Sequence, residues 1–76
     1  MVSVNIEKET LKNNLYRKII YTDKYQQLVL MSLKPGQSIP WEQHNATQFF
    51  RIESGSGVIS LRDKSCIITR GVSVVI

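Results

Sequence analysis

From Leu15 onward, apolar and polar positions alternate with a period of two, and β-branched residues fill many of the apolar ones. That period marks strands with one covered face, because successive side chains leave a pleated backbone on opposite sides. Leu15 to Thr22 (LYRKIIYT) reads as a strand, and Asp23-Lys24 after it as a tight turn. Tyr25 to Leu33 (YQQLVLMSL) is the most apolar run and the expected central strand. Lys34-Pro35-Gly36 predicts a type II turn, with proline at the second position and glycine supplying the positive φ. Ile39-Pro40-Trp41 is expected to run extended, since Pro40 biases Ile39 away from helix. Strands are then expected over Gln48 to Glu53, Val58 to Leu61, Cys66 to Thr69 and Val72 to Ile76. The turns between them are Ser54 to Gly57, Arg62 to Ser65, and Arg70-Gly71. Upstream, Val2 to Ile6 reads as a short strand and Glu7 to Asn14 as one helical turn or a loop. Seven or eight short strands joined by tight turns predict an all-β barrel or sandwich. The domain plan is single, residues 1–76, with an N-terminal strand and turn over 1–14 and barrel strands over 15–76.

A chain of 76 residues builds a thin core, and domains of this size often draw on a staple or a partner. One cysteine excludes an intrachain disulfide, and one histidine excludes a zinc-finger cluster. Oligomerisation is therefore the expected source of extra buried surface. Cys66 suits a reducing compartment, as a small buried hydrophobe. The net charge of +4 brings anionic partners into view. However, the ten basic residues are scattered and no aromatic platform is interleaved with them. Nucleic-acid binding by a basic β-barrel is thus the weakest of the functional readings. No signal-peptide pattern opens the chain, and no apolar run approaches the roughly twenty residues that span a bilayer. These features predict a soluble, intracellular protein, cytoplasmic in location and without a membrane partner.

The segment Val72 to Ile76 is apolar and ends without a polar cap. Unpaired at a sheet edge, such a strand invites pairing with another chain. A homodimer that covers this strand is the expected arrangement.

The most specific signal is the run Gly36 to Gly55, GQSIPWEQHNATQFFRIESG. Five residues separate Gly36 from Glu42, one separates Glu42 from His44, three separate His44 from Gln48, and six separate Gln48 from Gly55. This spacing resembles the first motif of the cupin superfamily, G-x5-H-x-H-x3-4-E-x6-G. The resemblance covers roughly residues 15 to 76 and includes the strands on both sides of the motif. It implies a small, jelly-roll type barrel of short antiparallel strands, here incomplete at its C-terminal end. Positions 42 and 44 then share one face of an extended segment, and position 48 points inward from the antiparallel neighbour. In cupins these positions hold iron, manganese, nickel or zinc together with a further histidine from a second motif, G-x5-P-x-G-x2-H-x3-N. Gly71 and the five residues after it match the opening of that second motif, and the sequence stops at Ile76.

Three departures follow from the comparison. Glu42 stands where the family places its first histidine, Gln48 where it places glutamate, and the fourth donor is absent. His44 alone matches. A neutral amide oxygen is a much weaker metal ligand than a carboxylate. Glu42, His44 and Gln48 are thus the metal candidates, with a weakly bound divalent ion as the only cofactor to consider. Trp41 and Phe50 are candidates for contact with a small-molecule ligand or a second subunit. The leading reading is a shortened, degenerate cupin-like domain acting as a dimeric binding or structural module without catalysis. The alternative is a metal-dependent dioxygenase, isomerase or epimerase with an incomplete metal site.

Overall fold

The computed structural model describes residues 1–40 and 46–76, which belong to two compact units, Met1–Pro40 and Trp41–Ile76. In the first unit a helix, α1 (Ile6–Lys12), precedes two antiparallel strands, β1 (Arg17–Thr22) and β2 (Gln27–Met31). Asn5 starts the helix: its side-chain oxygen accepts from the Lys8 N–H at 3.0 Å, satisfying a first-turn donor that has no partner inside the helix. Glu7 and Glu9 lie in the first turn and Lys12 in the last, the order that the helix dipole favours. The strand expected over Val2 to Ile6 is accordingly replaced by a cap and the start of a helix. Its alternating valines pair with no other strand among the described residues.

Strands β1 and β2 pair from Arg17 opposite Met31 to Thr22 opposite Gln27, with an irregularity between Ile19 and Tyr21. Asp23 builds the turn that joins them. One carboxylate oxygen accepts from the N–H groups of Tyr25 and Gln26, both at 2.8 Å, and the other accepts from the Tyr21 hydroxyl at 2.6 Å. These bonds favour the ionised carboxyl. The Tyr21 hydroxyl, followed by the two N–H groups, holds the Asp23 pKa below its ordinary 3.8, and the same carboxylate pushes Tyr21 above its ordinary 10.0. A lowered folded pKa stabilises the fold above the unfolded value, and that contribution is lost as pH falls through the folded one. Tyr21 works in the opposite sense: its contribution is complete below 10.0 and fades as pH rises through its raised value. We expect Asp23→Ala to lower the thermal midpoint near neutral pH. The native and variant midpoints should converge once Asp23 protonates at acid pH; a constant gap down to strong acid would show that the carboxylate charge is not what the turn uses.

Helix α1 lies against β2, and β2 carries Leu30, at 3% exposure the only buried apolar residue among those described. The run expected as the central strand is therefore the best covered, although β1 is its only strand neighbour among the described residues. The type II turn forms as the residues require: the Gln37 N–H donates to the Lys34 carbonyl at 2.9 Å, and Gly36 has φ +81°.

The second unit holds β3 (Phe49–Arg51), β4 (Ser56–Leu61), β5 (Lys64–Thr69) and β6 (Ser73–Val75). Strand β3 pairs with β6, and β4 with β5, both antiparallel. Together with β1–β2, these make three two-stranded sheets among the described residues, an all-β architecture that is not closed. Cys66, expected in the core, is exposed on β5. It lies opposite Ile59 in a ribbon that has two strands among the described residues.

The β4–β5 connection is a two-residue turn, Arg62-Asp63, between paired Leu61 and Lys64. Arg62 has φ +38°, a region that costs a residue with a Cβ and not glycine. Arg62→Gly relieves roughly 1–2 kcal/mol of left-handed strain and adds roughly 0.5–1 kcal/mol of unfolded-chain entropy, so a net gain of about 0.5–1 kcal/mol is expected, read as a higher urea midpoint at constant slope. A lower midpoint would mean that the guanidinium contributes more than the backbone strain costs.

Candidate functional site

The ladder of β3 and β6 decides which way Gln48 faces. The Gln48 N–H donates to the Ile76 carbonyl at 2.8 Å, and the Ile76 N–H donates back to Gln48 at 2.9 Å. Four residues on, the Ile52 N–H donates to the Val72 carbonyl at 3.0 Å and the Gly71 N–H to the Ile52 carbonyl at 2.8 Å. Phe50 sits midway, opposite Val74. By strand alternation, Gln48, Phe50 and Ile52 share one face of β3, with Val72, Val74 and Ile76 across from them. All but Ile76 are half-buried. Gln48 is thus one neutral amide at the end of an apolar face, where it can donate and accept hydrogen bonds but cannot carry a proton in catalysis.

Phe49 and Arg51 occupy the opposite face of β3, beside Val75 and Ser73. Phe49 is 66% exposed, so it, more than half-buried Phe50, is the aromatic ring presented to solvent. Trp41, Glu42 and His44 lie outside the described residues. Among the described residues no group of three His, Cys, Asp or Glu side chains is placed to hold a metal ion.

The sequence reading passed over one charged pair. Glu53 is buried, its side chain 4% exposed, and its Oε1 takes the Arg51 Nε–H at 2.6 Å. Its Oε2 is buried with no hydrogen-bond partner. An unmet buried acceptor costs roughly 1–3 kcal/mol, so Glu53 is a structural tether for Arg51 held at some expense. The available signal was charge alternation: Arg51 and Glu53 are two apart, at the pleat spacing that brings both to one side of a strand.

Residues 29–76 match the cupin domain family, and the chain belongs to the cupin superfamily. Its short antiparallel strands agree with the small all-β fold of that family. The chain is also similar to two curated relatives. It is 44% identical over 77 residues to an uncharacterized protein of Acanthamoeba polyphaga mimivirus, an alignment covering 96% of this chain and 48% of that protein. It is 44% identical over 59 residues to the uncharacterized protein YrkC of Bacillus subtilis, covering 76% of this chain and 32% of YrkC. The chain therefore spans half or less of the length of these relatives. No solved structure matches it. No helix among the described residues is long and apolar enough to cross a membrane.

Proposed function

We propose that this cupin domain is a binding or structural module that performs no catalysis. The observation behind this reading is Gln48, half-buried among Phe50, Ile52, Val72 and Val74, where the family's metal-binding members place a glutamate. A primary amide supplies no charge to offset a divalent cation and does not exchange protons near neutral pH. Its apolar neighbours add no donor. A neutral amide where the motif calls for a carboxylate supports the reading that the metal implied by the family motif is not held here. What the face offers is a hydrogen-bonding amide above an apolar strip, suited to a small neutral ligand that is part polar and part apolar.

The test is metal content and metal titration of the purified chain. We expect no stoichiometric first-row metal to co-purify, and no calorimetric signal for manganese, iron(II), nickel or zinc at micromolar concentration. Tight binding of any of these that His44→Ala abolishes would instead establish a metal centre.

A further inference from the structure

We draw no further inference here: the strongest candidate, the buried side-chain pair at the end of β3 in which Glu53 keeps Oε2 without a hydrogen-bond partner, belongs to the Arg51 tether already described, and nothing in the structure identifies a donor that would meet it.

Discussion

Leu30→Ala is expected to cost about 2–4 kcal/mol, the largest stability loss from any single apolar truncation in residues 1–40. Removing buried methyl groups forfeits their transfer free energy and leaves a cavity, together worth roughly 2–5 kcal/mol for leucine. Leu30 stands apart because it alone among the described apolar residues is buried, on the strand that α1 packs against. A domain of this length has about 4–11 kcal/mol of stability in total, so the substitution removes a large part of it. The comparison is Leu28→Ala on the same strand, 37% exposed, which should cost about 1 kcal/mol or less. Urea unfolding of both variants measures the difference. Equal losses would mean that β2 is not anchored through residue 30.

Gln48→Glu is expected to act on both stability and metal affinity. Without metal, it places a carboxylate on the half-buried face beside Phe50 and Ile52, with no cation on that face of the β3–β6 ladder to pair with it. The expected loss near neutral pH is about 1–3 kcal/mol. With metal, the carboxylate is the donor that the family motif places at this position, and affinity for a divalent first-row ion should rise at least about tenfold over the native chain. Because only the folded state holds the ion, saturating metal should return about 2.7 kcal/mol at a hundredfold excess over its dissociation constant. The measurements are calorimetric titration with manganese or zinc, and the thermal midpoint with and without that metal. A destabilised variant whose metal affinity stays at the native level would show that residue 48 does not face Glu42 and His44.

How much was legible varied with how local the cause was. The turn at Pro35-Gly36 was legible because both residues restrict their own φ, and Gly36 at +81° is where that restriction leads. The Asp23 turn was legible in place, though its bond to Tyr21 depends on β1 holding that ring beside it. Gln48 sharing a face with Phe50 followed from the two-residue period, which the β3–β6 ladder preserves. The N-terminal segment went the other way. Val2 and Val4 alternate like a strand, yet Asn5 with Glu7 and Glu9 behind it is a helix-start signal that needs no partner, whereas a strand does. Cys66 was expected inside because isolated cysteines usually are, but its exposure depends on what lies over one side of β5.

By itself, the sequence determined the strand period, the turn positions and cupin membership, since each rests on residue types at short spacing whose backbone preferences act within a few residues. The tertiary structure decided which strands pair, and so which faces are covered. It sent Leu30 inside and left Phe49 and Val75 outside. Those outcomes come from segments far apart in the chain meeting, and a two-residue period says only that a strand has two faces, not what covers either one.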